Sequence, residues 1–269
     1  MRPPAVTLVR PIAFVLLIPL VGAGYARATP SREASVYGGR NLAAMEGHPV
    51  PVLAEVADPR LAAADAALLA LSPHVPRSSS SAALKLAFRA YHNYRAAHPG
   101  LVTKPYLYYV DLGLDNRTAR GYVFDMDRLQ VVDGPFMVSH GTGSSRQRNG
   151  VPTTFSNRPG SKASSLGLYL AEETYDFNGK AGGGTYTSIG LRLRGESGHF
   201  NDAARRRGVV AHGAPYVSDR DAGRSEGCPA LEQHRARRLL PLIADGGVVF
   251  VFSPNDARWL ADDPWINAE

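Results

Sequence analysis

Cysteine is almost missing from this chain: Cys228 is the only one in 269 residues. One thiol makes no internal disulfide, so no disulfide framework holds the fold together. Metal-site spacing is missing too. The eight histidines, at 48, 74, 92, 98, 140, 199, 212 and 234, form neither H-x-H nor H-E-x-x-H, so no metal and no other cofactor is expected. Gly182-Gly183-Gly184 lacks the Lys-Ser/Thr of a phosphate loop and reads as a mobile turn. Neither an internal repeat nor a heptad or tripeptide period is present, which excludes coiled-coil and collagen-like readings.

Long apolar runs are confined to the start. Arg2 and Arg10 precede the stretch Ile12 to Gly24, and Ala26-Arg27-Ala28 follows as an A-x-A site. A basic start, a short apolar middle and a small-residue exit make a secretory signal over residues 1–28. Thirteen apolar residues containing Pro19 fall short of the roughly 20 needed to span a bilayer. No later run is long enough, so no transmembrane segment is expected after cleavage. Loss of Arg2, Arg10 and Arg27 lowers the formal charge from +6 to +3. Arg205-Arg206-Arg207 and His234 to Arg238 are basic, but without interleaved aromatics they read as solvated helix faces, not a nucleic-acid site.

What is present is a 44% hydrophobic chain with 27 glycines and 20 prolines. Residues 29–80 are expected to be a linker or N-terminal arm, although Asp58-Pro59 can cap a helix running to about Leu71. From Ser81, Leu84, Phe88, Tyr91 and Arg95 recur at helical spacing. Beyond residue 100, β-branched and aromatic runs predict strands at 106–111, 120–125, 129–138, 166–171, 189–194, 209–211 and 247–252. Helical pieces are expected near 202–207 and over 231–244, the second kinked at Pro241. The fold class is therefore a β-rich mixed α/β domain over 81–256, a sandwich or barrel with a few flanking helices, followed by a tail at 257–269.

The chemistry concentrates in Val209 to Leu231. A short strand delivers His212-Gly213, a polar loop follows, and Ser225-Glu226-Gly227-Cys228 leads through Pro229 toward a helix. A nucleophilic cysteine needs a lowered pKa and a base within reach. A helix N-terminus just after Cys228 would favour thiolate, His212 would take the proton, and the N–H groups of Gly227 and Cys228 would hold an oxyanion. Gly223-Arg224-Ser225-Glu226-Gly227 also matches G-x-S-x-G. However, a nucleophile elbow needs a strand before the serine and an acid and histidine after it, and here a polar loop precedes Ser225.

His212-Gly213 followed by Ser225-x-Gly227-Cys228 resembles the signature of the L,D-transpeptidase (YkuD-type) family, in its murein L,D-transpeptidase catalytic-domain branch. Ser139-His140-Gly141-x-Gly143-Ser144, Phe155-Ser156-Asn157 with Gly160-Ser161, Ser164-Ser165-Leu166-Gly167 and Gly223-Arg224-Ser225 extend the likeness over about residues 82–254. The resemblance implies an exported enzyme of the periplasm or cell envelope, monomeric, acting on peptidoglycan stem peptides. Cys228 would attack the carbonyl of the third stem residue and expel the terminal D-alanine. An amine of another stem, or water, would then resolve the acyl-enzyme. It implies nucleophile for Cys228, base for His212, an oxyanion turn at Gly227, and support from Ser225 and Gly213. His140, Tyr216 and Arg224 are candidate substrate contacts, His140 being equally open to a structural reading. Two departures bear on substrate and acceptor choice: Glu226 stands where the family commonly has His, and Pro229-Ala230 where an arginine is common nearby. A carboxylate beside the thiol opposes thiolate if it points inward; Glu226 is expected to face solvent. A hydrolase on the same site and a catalytically silent wall-binding module are the alternatives.

Overall fold

The computed structural model describes residues 58–268. The expected signal over 1–28 and the first part of the expected linker lie outside the described residues. The chain opens with α1 (Pro59–Leu71), where the Asp58 carboxylate accepts the Arg60 N–H at 2.8 Å and proline occupies the first turn. Ala64, Ala67 and Leu71 fall on one helical face and are buried against α2 (Ala83–Ala97). The second part of the expected linker is thus a packed helix: its alanines admit close approach and Leu71 fills the seam.

Eight strands form one sheet: β1 (Tyr106–Asp111), β2 (Gly121–Asp125), β3 (Gln130–Phe136), β5 (Gly167–Ala181), β6 (Gly184–Gly195), β7 (Val210–Ala214), β9 (Ala230–Glu232) and β10 (Val248–Phe252). Their spatial order is β3-β2-β1-β10-β5-β6-β7-β9. Pairing is antiparallel except at β1–β10 and β7–β9. A separate ribbon pairs β4 (His140–Gly141) in parallel with β8 (Arg224–Ser225). Short helices α3 (Ala204–Arg207), α4 (Gln233–Ile243) and α5 (Ala257–Asp262) complete the β-rich mixed α/β fold.

Side-chain alternation gives the central sheet two apolar faces. On one, Phe124 of β2 meets Phe88 of α2 edge-on at 5.5 Å, and Phe250 and Phe252 of β10 meet Trp259 of α5. Each such fully buried side chain contributes ~1.5–3 kcal/mol. Trp259 is fully buried, so the segment expected as a tail closes this face of the core. On the other, Phe136 packs on Tyr108 and lies under the Arg235 guanidinium of α4.

Two elements differ in extent from expectation. The strands expected to end at Ala171 and begin at Ile189 instead continue into one long β5–β6 hairpin, closed by Gly182 and Gly183 with φ of +59° and +82°. Two successive residues in that region define the hairpin turn that demands glycine. The second helix starts at Gln233 rather than Leu231, because β9 is inserted between Cys228 and the helix. It continues through Pro241 and stops two residues later.

Candidate active site

β7 and β9 run side by side with His212 opposite Ala230, which places His212 in a strand and Cys228 two residues before its neighbour. Cys228 and His212 both line a cleft of about 700 Å³, together with Tyr216, Arg224, Ser225 and Glu226. Six of the residues singled out in the sequence therefore converge. Gly227 and Gly213 shape the cleft from behind, and His140 lies outside it.

Three serines hold the cysteine turn. Ser225 Oγ donates to the Cys228 carbonyl at 2.6 Å and accepts the Gly227 N–H at 3.1 Å. Ser139 Oγ donates to the same carbonyl at 3.2 Å, and Ser164 Oγ donates to the Gly227 carbonyl at 3.2 Å. Gly227 has φ of +123°, and a Cβ there would stand 2.9 Å from the Ala163 carbonyl oxygen. The turn thus needs glycine on both counts. The oxyanion expectation changes in one respect: the Gly227 N–H is already bonded to Ser225. The Cys228 N–H has no partner among the described residues and is the free donor.

His212 is buried, with Nδ1 3.1 Å from the Gly213 carbonyl oxygen. A carbonyl only accepts, so Nδ1 carries the proton and Nε2 keeps its lone pair for base work. The Phe177 ring stacks on the imidazole at 4.1 Å. Burial lowers its pKa to about 4, with the Gly213 carbonyl opposing, so His212 is neutral near pH 7. Gly213 also makes room for α4: a Cβ there would stand 3.0 Å from Gln233 Cα and 2.9 Å from Ala236 Cβ.

The thiol is not poised as thiolate. Cys228 Sγ points at the Gly208 carbonyl oxygen, 3.8 Å away. Burial pushes its pKa up, against the Val210 N–H and the Arg207 charge, while Glu226 adds a smaller push upward. The expected helix N-terminus is absent because β9 intervenes. The resting pair is therefore neutral thiol and neutral imidazole. Glu226 does face solvent and pairs with Lys162 at 2.7 Å.

His140 is fully buried, with Nδ1 2.9 Å from Nη2 of the equally buried Arg120. Burial, reinforced by Arg120 and Arg224, lowers its pKa to about 3. It lies on β4 opposite Arg224 of β8 and is not among the residues lining the cleft. Sequence reasoning missed Arg207, read as part of a solvated basic run. Gly208, in the left-handed region with φ of +69°, ends α3 and turns the chain there. Arg207 is half-buried in the cleft wall, donating to Ser165 Oγ at 3.0 Å and the Ala163 carbonyl at 2.7 Å. Phe177 and Tyr186 were missed as well. They sit on the extended hairpin, and the alternation of Tyr175 and Phe177 before the glycine turn was the available signal.

A family model described as the L,D-transpeptidase catalytic domain matches residues 76–252, more than half of the chain. The chain belongs to the L,D-transpeptidase family. No curated protein matches the chain. Solved structures similar to it include an L,D-transpeptidase from Mycobacterium smegmatis, at 14% identity and TM-score 0.33, covering 55% of this chain and 58% of that one. Another is an L,D-transpeptidase from Stackebrandtia nassauensis, at 14% identity and TM-score 0.36, covering 64% and 68%. A third is L,D-transpeptidase 3 from Mycobacterium tuberculosis in complex with a faropenem-derived adduct, at 14% identity and TM-score 0.31, covering 55% and 60%. The chain thus spans 58% of the length of the M. smegmatis protein. Among the described residues, no three His, Cys, Asp or Glu side chains gather as a metal site requires, and no helix is long and apolar enough to cross a membrane.

Proposed function

We propose that this chain is an exported peptidoglycan L,D-transpeptidase of the cell envelope, with Cys228 as nucleophile and His212 as base. The observation that supports this reading is that Cys228 and His212 line the same cleft, His212 with Nδ1 on the Gly213 carbonyl and Cys228 with an N–H that has no partner among the described residues. Because both partners rest neutral, proton transfer accompanies attack. The Cys228 proton passes to His212 Nε2 as sulfur bonds to the carbonyl carbon of the third stem residue, and the Cys228 N–H stabilises the oxyanion. Collapse breaks the C–N bond to D-alanine, whose nitrogen takes the proton from His212. The amine of a second stem then attacks the thioester and gives its proton to His212, which passes it to the departing Cys228 sulfur as the cross-link forms.

The test is covalent capture. Intact-mass analysis after carbapenem treatment should show one adduct, mapping to the peptide containing Cys228 and absent from Cys228→Ala. Mass spectrometry of products from disaccharide-tetrapeptides separates cross-linking from hydrolysis. Folded protein that neither forms an adduct on long exposure nor turns over tetrapeptide is not an enzyme of this class.

A further inference from the structure

The catalytic cleft has a second lobe. A cavity of about 410 Å³ adjoins it and shares Thr142, Lys180, Tyr216 and Arg224 with it. Arg148 and Asp221 complete the polar lining of the added lobe. Three cations face one carboxylate there. None of Arg148, Lys180 and Arg224 makes an ion pair among the described residues. Asp221 forms no ion pair with any of them and offsets only one of the three charges; its Oδ1 accepts the Gly223 N–H at 2.8 Å and Asn116 Nδ2 at 3.3 Å.

The lobe is held together from beneath. Asn116 is fully buried, and its Nδ2 also donates to the carbonyls of Arg148 at 3.1 Å and Gly223 at 3.0 Å. One amide group thus fastens the loops bearing Arg148 and Asp221 to the strand bearing Arg224. Arg224 is itself anchored, Nη1 donating to the Ser145 carbonyl at 3.3 Å, and lies four residues from Cys228 on the same turn. Lys180 reaches the same neck from the tip of the β5–β6 hairpin.

We propose that this lobe is a carboxylate subsite, in which Arg224, Lys180 and Arg148 receive the free C-terminal carboxylate of the peptide strand lying over Cys228. This rests on the transpeptidase reading, since the expelled residue carries that carboxylate one residue beyond the attacked carbonyl. Arg224 and Lys180 line both lobes, so they stand where a strand would pass from the catalytic cleft into the second lobe. The site therefore selects strands ending in a free acid over amidated ones. A guanidinium presents paired N–H donors to a carboxylate, whereas the amide offers weaker acceptors and no charge.

The experiment uses Cys228→Ala protein, so that ligand is not consumed, and calorimetric titration at low salt. The probes are an acetylated stem tetrapeptide with a free terminal carboxylate and the same peptide as its C-terminal amide. The acid should bind about tenfold more tightly, and its advantage should shrink as salt rises. Adding Lys180→Gln and Arg224→Gln should reduce the preference to less than twofold with unchanged circular dichroism. Should the double change fail to fold, Lys180→Gln alone alters only an exposed side chain and should still reduce it. Equal binding of the two peptides, binding of neither, or a preference that survives these changes overturns the subsite. Carbapenem labelling of Cys228 in the parent protein reports separately on the transpeptidase reading.

Discussion

The Ser225 hydroxyl donates to the carbonyl of Cys228 at 2.6 Å, bracing the nucleophile through its own backbone three residues on. The same hydroxyl accepts the Gly227 N–H, so removing it strands a buried donor as well as weakening the support of an acceptor. Ser225→Ala should therefore cost about 1–3 kcal/mol of stability. It should also slow carbapenem acylation, because a released Gly227 N–H lets the turn relax. Denaturant melts and adduct formation followed by mass measure the two effects. A variant equal to the parent in both would remove Ser225 from the bracing role.

Arg207 stands in the cleft wall, and its charge favours the Cys228 thiolate. Arg207→Gln should raise the Cys228 pKa further, because a nearby opposite charge is lost. The pH profile of iodoacetamide alkylation measures this directly, since only thiolate reacts. Arg207→Lys should recover part of the shift, which a purely structural loss would not. An unmoved profile in folded Arg207→Gln would show that its charge does not reach the sulfur.

Two buried histidines give the protein an acid limb. An unfolded chain takes up a proton on each near pH 6.5, whereas the folded protein resists until about 4 at His212 and about 3 at His140. The unfolded state thus binds more protons in this window, so stability is full above pH 6.5 and falls as pH drops toward 4. The slope is about 1.4 kcal/mol per pH unit for each histidine. Melting temperatures across that range should decline steeply, and less steeply in His140→Gln. The neutral base is present throughout pH 5 to 8. His212→Ala should lower acylation by roughly 100-fold or more while the circular dichroism stays the same.

Gly213 tests the architecture rather than the chemistry. Its missing side chain lets α4 cross β7, and a methyl group there meets Gln233 backbone that cannot swing aside. Gly213→Ala should destabilise the protein by about 1–3 kcal/mol, the usual cost of overpacking. Chemical denaturation measures it; an undiminished midpoint would mean that α4 moves freely.

The motif residues were readable because their roles are local. Gly227 announces a turn that only glycine adopts, and Ser225 lies within reach of the carbonyl it braces. Most strands were readable from β-branched and aromatic runs, although the ends of β5 and β6 were not. The outer half of β5 carries Glu, Asp, Asn and Lys and that of β6 Thr and Ser, because this part of the hairpin is only partly buried. Arg207 was hidden for a different reason: three adjacent arginines look alike until the left-handed Gly208 sends one inward. The helix start was placed two residues early because the three-residue strand β9 leaves almost no pattern, yet it separates Cys228 from the helix N-terminus.

The parallel pairing of β7 with β9 dictates how the chain connects them. Parallel neighbours cannot be joined by a tight turn, so the chain must travel from the end of one back to the start of the other. Here that journey occupies residues 215–229, beginning just after the base and ending at the nucleophile's turn. Tyr216, Asp221 and Arg224, which shape the cleft, all lie on it. Base and strand pairing are fixed by the sheet, while the recognition surface is carried by a detachable span between them. On the proposed function, substitutions within residues 215–229 should alter peptide preference while His212 keeps its place in β7.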